Sequence, residues 1–318
     1  MRFLILLLTV SLCGLPGCTR EPVPVLRVGA NVWVGYEPLY LARDLNYFPD
    51  TAIHPVEFTS ATQVIRAYQN DAIDAACVTL DEALLLASND EDFRIILVAD
   101  FSNGADVVIG ASGMTRMVDL KGKRVGVEDT ALGAFFLARA LQKSGMQLGD
   151  VRVVPIQVQD HEQAFFSSRV DAVVTFEPVR GKLLRRGAPI LFDSSRIPGE
   201  IVDVLLVRTS YLERYPDVVA SLLRGWQQAQ DYLTRAPDDA HARMARREGV
   251  TAAEMRAALQ GVHLPNREKN RQLLSGNAPT LKPVLQRLSA FMQQQKLLKK
   301  TVSVDRLVES RDLLAVQQ

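Results

Sequence analysis

Short apolar runs, each followed by a stretch with helical spacing, recur along most of this chain, and that alternation constrains the fold most. Leu26–Ala30, Ile53–Phe58, Ala75–Thr79 and Phe93–Ala99 read as strands, with helices at Glu37–Asn46, Ala61–Tyr68 and Asp81–Ala87 between them. Such a pattern gives βαβ units and a mostly parallel sheet covered on both faces. Ala111-Ser112-Gly113 reads as a crossover into a second α/β unit that opens at Val118–Val127. That unit has helices at Ala134–Gln142, His161–Phe166 and Glu177–Arg186, and strands at Val151–Ile156, Ala172–Thr175 and Pro189–Phe192. Residues 194–200 return, Ile201–Val207 rejoins the first sheet, and everything from Ser210 onward reads as helical. The expected division is one lobe from 25–112 plus 199–318 and a second from 113–198.

The first 17 residues lie outside that pattern. Arg2 precedes a short apolar core, Phe3–Val10, and then Leu15-Pro16-Gly17-Cys18, which reads as a secretory signal too short to span a bilayer. The small residue before Cys18 resembles the lipobox of bacterial lipoproteins, which makes Cys18 the lipidated first residue and 18–24 a linker. Thr19 stands where an Asp would resemble an inner-membrane retention signal, so the expected address is the periplasm, anchored in the outer membrane. Only Cys77 lies within the folded part, in an apolar run, where it reads as an inert core thiol. Lys plus Arg number 37 and Asp plus Glu 36, so no net field exists to attract nucleic acid.

Function should sit where strands end, because open α/β sheets bind ligands at the carboxyl ends of their strands. Trp33 and Tyr36 follow the first strand, just before Pro38 starts a helix, and each offers a flat face with one polar atom. The other corners supply Thr79, Asp81, Glu82, Ser102, Asn103, Asp106, Glu128, Asp129, Thr130, Phe135, Glu177 and Asp203. That set holds many carboxylates and no Lys, Arg or His. A like-charge pair at ~4 Å costs about 4 kcal/mol at an effective dielectric of 20. The residues therefore favour a cationic or neutral nitrogenous solute, with a cation stacked on an aromatic ring. The competing reading makes Asp81, Glu82 and Asp129 helix caps. His54, His161, His241 and His263 lie apart, and no nucleophile–base pair, P-loop or dinucleotide fingerprint occurs, so neither catalysis, a cofactor nor a metal is expected.

An internal echo links the halves: Val78-Thr79-Leu80-Asp81-Glu82 after Asp74-Ala75, and Val174-Thr175-Phe176-Glu177-Pro178 after Asp171-Ala172. Trp33-Val34-Gly35-Tyr36-Glu37-Pro38-Leu39-Tyr40-Leu41-Ala42 resembles the opening motif of the nitrate, sulfonate and taurine family of ABC-importer substrate-binding proteins, which also includes binders of thiamine precursors. Asp119–Val127 and Asp171–Pro178 resemble later motifs of the same family. The resemblance implies a type II periplasmic binding fold, with two α/β lobes, two crossovers, a helical C-terminal segment and a ligand clamped by hinge closure. Position by position it nominates Trp33, Tyr36, Thr79, Asp106, Thr130, Glu177 and Asp203 as ligand contacts. It implies a monomer whose partners are a small-molecule ligand, a permease and an ATPase. A sensor module feeding a membrane receptor is the alternative, and a sulfonate, taurine or nitrate is the alternative ligand. The cysteine-rich iron site of related pyrimidine synthases has no counterpart here.

Overall fold

The computed structural model describes residues 23–48, 52–128, 131–275 and 279–313, so the leader, Cys18, Asp129 and Thr130 lie outside the described residues. The chain begins with β1 (Leu26–Asn31), α1 (Glu37–Asp44), β2 (Ile53–Phe58), α2 (Ala61–Gln69), β3 (Ala75–Thr79), α3 (Leu80–Ser88) and β4 (Phe93–Ser102). It crosses into β5 (Val107–Gly110), β6 (Arg124–Val127), α4 (Ala131–Lys143), β7 (Arg152–Pro155), α5 (His161–Phe166), β8 (Ala172–Thr175), α6 (Val179–Arg185) and β9 (Ile190–Asp193). It returns as β10 (Val202–Arg208), followed by α7 (Thr209–Arg214), α8 (Pro216–Arg235), α9 (Pro237–Glu248) and α10 (Ala252–Leu259). The short β11 (Val262–His263), α11 (Arg267–Leu274) and α12 (Leu281–Gln294) complete it. The first sheet has the order β11-β4-β10-β3-β1-β2 and the second β7-β6-β8-β5-β9.

Most strands and helices fall where the periodicity puts them, with four corrections. The outward crossover is at residues 103–106, not 111–113, because β5 already pairs with β8 and β9 of the second sheet. The sheets are mixed, not mostly parallel: β10 rejoins the first sheet antiparallel to both β3 and β4, and β5 runs antiparallel to β8 and β9. The tail is not purely helical: β11 pairs with β4, and Val308 bridges to Ile95. Helix α1 stops at Asp44, two residues short of Asn46, which takes φ 56°.

The strands are apolar on both faces because both faces are covered. On β3, Ala76 and Val78 enter one core while Ala75 and Cys77 enter the other; on β10, Val204 and Leu206 alternate in the same way with Leu205 and Val207. Val108, Val174 and Phe192 of the second sheet belong to the first of these cores, so one apolar mass runs under both sheets. Helix α12 adds Leu281, Leu285, Leu288 and Met292 to it. Phe291, also on α12, meets Phe135 of α4 edge-on at 5.6 Å, with the Arg139 guanidinium over its ring.

The echo between the halves extends to a repeated clamp. In the first sheet the backbone N–H, Nε and Nη2 of Arg27 donate to Asp74 at 3.0, 2.8 and 2.9 Å, and Nη2 also reaches the Asp71 carbonyl. In the second, the same three groups of Arg124 donate to Asp171 at 2.8, 3.1 and 2.8 Å, and Nη2 reaches the Ser168 carbonyl. Each acid lies 47 residues after its arginine, and Asp71 and Ser168 share a positive φ of 55° and 56°. The hydrogen bonds from Arg124 hold the Asp171 carboxyl down at about 2. Its stabilisation is therefore present above the unfolded value near 3.9 and is lost as pH falls through about 2. Asp171→Asn should cost about 1 kcal/mol at pH 7, and urea denaturation curves of variant and wild type should converge as pH drops from 4 towards 2.

Candidate functional site

Three neighbouring strand ends and one crossover gather a set of acids. Across the antiparallel ladder Asp203 of β10 stands opposite Asp100 of β4 on one side and Thr79 of β3 on the other. Asp81 and Glu82 begin α3, where Glu82 accepts the Thr79 backbone N–H at 3.0 Å. Asp106 comes from the outward crossover, and its N–H donates to the Ser102 hydroxyl at 3.3 Å. These carboxylates are all 0–3% exposed.

The loop after β1 folds over them. Trp33 donates its indole N–H to Asp100 at 2.9 Å, and the Tyr36 hydroxyl donates to Asp203. Gly35 makes this possible: a Cβ there would sit 1.7 Å from Asp100 Oδ2 and 2.7 Å from Trp33 Nε1. The second sheet closes the other side. Glu128, just past β6, accepts the backbone N–H and hydroxyl of Thr62 at 3.2 and 3.1 Å. Phe176, just past β8, meets Trp33 edge-on at 5.5 Å and 88°.

Between these lips lies a cavity of about 20 Å³, lined by Asn31, Trp33, Tyr36, Ala61, Thr79, Glu82, Asp106 and Asp203 from the first side and Glu128, Leu132 and Phe176 from the second. No Lys, Arg or His lines it among the described residues. Two guanidinium groups outside the lining pair with acids, Arg180 with Glu177 and Arg247 with Glu37, Glu57 and Glu248, and the Nε of each is buried without a partner. One oxygen each of Glu82, Asp100, Asp106 and Asp203, and both of Asp81, have no hydrogen-bond partner.

Of the residues expected from sequence, Trp33, Tyr36, Thr79, Asp106 and Asp203 meet at this cavity. Asp81 is buried behind it, at the start of α3. Glu177 is not among the lining residues: it takes the Gly181 N–H at 2.9 Å and pairs with Arg180 at 2.8 Å, so it tethers the first turn of α6. Phe135 sits by Phe291 at the rear. Asp100 escaped notice because it directly follows the apolar run Phe93–Ala99 with no turn residue to mark a corner; β4 continues through it to Ser102, and only the paired register brings it to Trp33. Phe176 escaped too, although its place after Thr175 matches that of Leu80 after Thr79.

Burial is the leading influence on these carboxyls. It pushes Asp106 up to about 6, Asp81 and Asp100 to about 7 and Glu82 to about 8, with neighbouring acids adding to the last three. Asp203 is raised well above the carboxylate range by burial and then by Asp100. Groups raised on folding stabilise fully below their unfolded values and lose that contribution as pH rises through the folded ones. Without added solute, stability should therefore fall as pH rises from about 5 to about 8. Asp106→Asn should be more stable than wild type at pH 8, on the order of 1–2 kcal/mol, and no different at pH 4; denaturant titration at the two pH values checks this.

Residues 19–247 match the NMT1-like family. A candidate binding protein of Brucella abortus (strain 2308) is 27% identical over 186 residues, 57% of this chain and 57% of that protein, so the match spans little more than half of the relative. The taurine-binding periplasmic protein of Escherichia coli (strain K12) is 22% identical over 284 residues, 84% of this chain and 88% of that one. The solved structure of the alkanesulfonate-binding protein SsuA from Xanthomonas axonopodis pv. citri, bound to MOPS, superposes with a TM-score of 0.77 at 22% identity, over 92% of this chain and 99% of that chain. Such a likeness fixes the fold: two sheets joined by paired crossovers are the periplasmic-binding-protein architecture that the motifs led us to expect. With its match running from residue 19 to residue 247, the chain belongs to the NMT1-like family.

Proposed function

We propose that this chain is the extracytoplasmic solute-binding component of an ABC importer, and that its solute is small and carries an ammonium group. One observation carries the ammonium: the cavity gathers buried carboxylates with unpartnered oxygens and no cationic side chain. A carboxylate taken out of water needs a compensating charge or hydrogen bonds. An aminosulfonate, such as the taurine for which one relative is named, belongs to this class because it bears an ammonium beside its sulfonate. The names of the relatives also favour a second reading, in which a sulfonate alone is the recognised group.

The two sheets are read as lobes that part to admit the solute, since about 20 Å³ is close to the room of a single water. Residues 103–106 and 194–201 serve as the hinge in this reading. A permease and an ATPase would receive the solute, and a membrane receptor would do so in the sensor alternative. Lipid on Cys18 would hold the protein at the periplasmic side of the outer membrane. No helix among the described residues is long and apolar enough to cross a membrane. Cys18→Ala should move the protein from the membrane fraction to the soluble fraction of the cells that make it.

A thermal-shift panel of taurine, ethanesulfonate and 1,4-diaminobutane separates the readings. A ligand at 100 times its Kd adds about 2.7 kcal/mol. Stabilisation by taurine or the diamine but not by ethanesulfonate is expected; stabilisation by ethanesulfonate without the diamine would establish the sulfonate reading. Asp203→Asn should weaken the bound amine tenfold or more, about 1.4 kcal/mol, with an unchanged circular dichroism spectrum.

A further inference from the structure

We propose that the cleft exchanges protons for its solute: an incoming ammonium group displaces protons shared among Asp81, Asp100, Asp106 and Asp203, so capture favours neutral pH and acid reverses it. The proposal rests on the ammonium reading above and concerns how that site is regulated.

Geometry carries it. Asp203 and Asp100 are direct cross-strand partners, where like charges oppose each other. Asp106, Asp203 and Glu82 line one cavity, and Asp81 adjoins Glu82 in the first turn of α3. Two carboxylates sharing a buried site do not both ionise without a counter-charge.

The groups facing them from each packed element supply none. The loop after β1 gives the Trp33 N–H to Asp100 and the Tyr36 hydroxyl to Asp203. Strand β3 gives the Cys77 thiol, held neutral by burial near Asp203 and Asp100. Helix α3 adds only another acid, Glu82, and β4 ends in the neutral Ser102. From the second sheet Glu128 adds a further carboxylate, itself met by Thr62. Each donor satisfies one oxygen, and the oxygens left over on Asp81, Glu82, Asp100, Asp106 and Asp203 are buried without a partner. Within this enclosure the remaining compensation is protons, and a cation that enters must take their place. The exchange is balanced in charge: the ammonium solute keeps all of its own protons, each carboxyl that ionises releases one H⁺ to solvent, and no covalent bond changes.

The raised positions of Asp106, Asp81, Asp100 and Glu82, from about 6 to about 8, set the range in which the exchange reads out. Linkage then requires affinity to rise with pH by up to tenfold per unit for each proton released.

The test is calorimetric titration of the wild-type protein with whichever of taurine and 1,4-diaminobutane gives the larger thermal shift. It is run at pH 5.5, 6.5 and 8 in buffers of low and high ionisation heat. Release of about one proton per solute at pH 6.5, and a Kd at least about tenfold weaker at pH 5.5 than at pH 8, are the expected results. A Kd that holds constant across this range with no buffer-dependent heat overturns the exchange and leaves the ammonium reading standing. If neither amine binds at any of the three pH values, both fall. Asp106→Asn should release fewer protons and flatten the pH profile; an unchanged proton count counts against the proposal. Infrared difference spectra of the wild type at pH 6.5 need no variant. Loss of protonated-carboxyl absorption on adding the amine supports the exchange, and its persistence overturns it.

Discussion

The structure depends on like charges kept together out of water. Three adjacent strands, β3, β10 and β4, deliver Thr79, Asp203 and Asp100 side by side, and α3 and the crossover add Asp81, Glu82 and Asp106. Sheets ordinarily avoid opposing acids in paired register, because each pair is repulsive and burial raises the cost. Here the cost falls at the rim between two sheets, where a rigid apolar mass beneath holds the strands in register. Such concentrations of strained titration mark working sites more often than structural ones. The opening motif follows from the same constraint: Trp33 and Tyr36 each spend a donor on an acid below, and Gly35 has no side chain because Asp100 already fills that space.

Much of this was legible in the chain, since the signals are local. Periodicity placed the interior strands and most helices, and the strand-end corners brought Trp33, Tyr36, Thr79, Asp106 and Asp203 to the cavity. What could not be read is what depends on pairing. β5 looks like the end of the first unit until its partners β8 and β9 are known. Asp100 reads as a residue just past an apolar strand until β10, paired as far as Phe101, sets Asp203 beside it. β11 has two residues, too few for any alternation to show. Glu177 shows a different failure: an acid at a helix start can cap or bind, and it engages Arg180 and Gly181 instead.

The duplicated clamp shows how the halves correspond. Arg27 with Asp74 and Arg124 with Asp171 lock the parallel pairs β1–β3 and β6–β8 in the same way, down to a left-handed residue whose carbonyl takes Nη2. The two sheets therefore present their strand ends from equivalent positions. Where the first has Leu80 and Asp81 after Thr79, the second has Phe176 and Glu177 after Thr175. A common frame thus carries different side chains, with Glu82, Asp106, Asp203 and the Trp33 and Tyr36 rings on one lip and Glu128 and Phe176 on the other. The fold alone does not decide a function, because such frames serve many chemistries; the content of the corners does.

Helix α12 ties the two halves of this frame together. It is buried in the core beneath the first sheet, yet Phe291 touches Phe135 and lies under Arg139 of α4, which belongs to the second. If the two sheets part as proposed, that movement has to keep or break the Phe291–Phe135 contact. The C-terminal part of the chain, far in sequence from the carboxylates, is thus packed against α4 of the second sheet as well as into the common core.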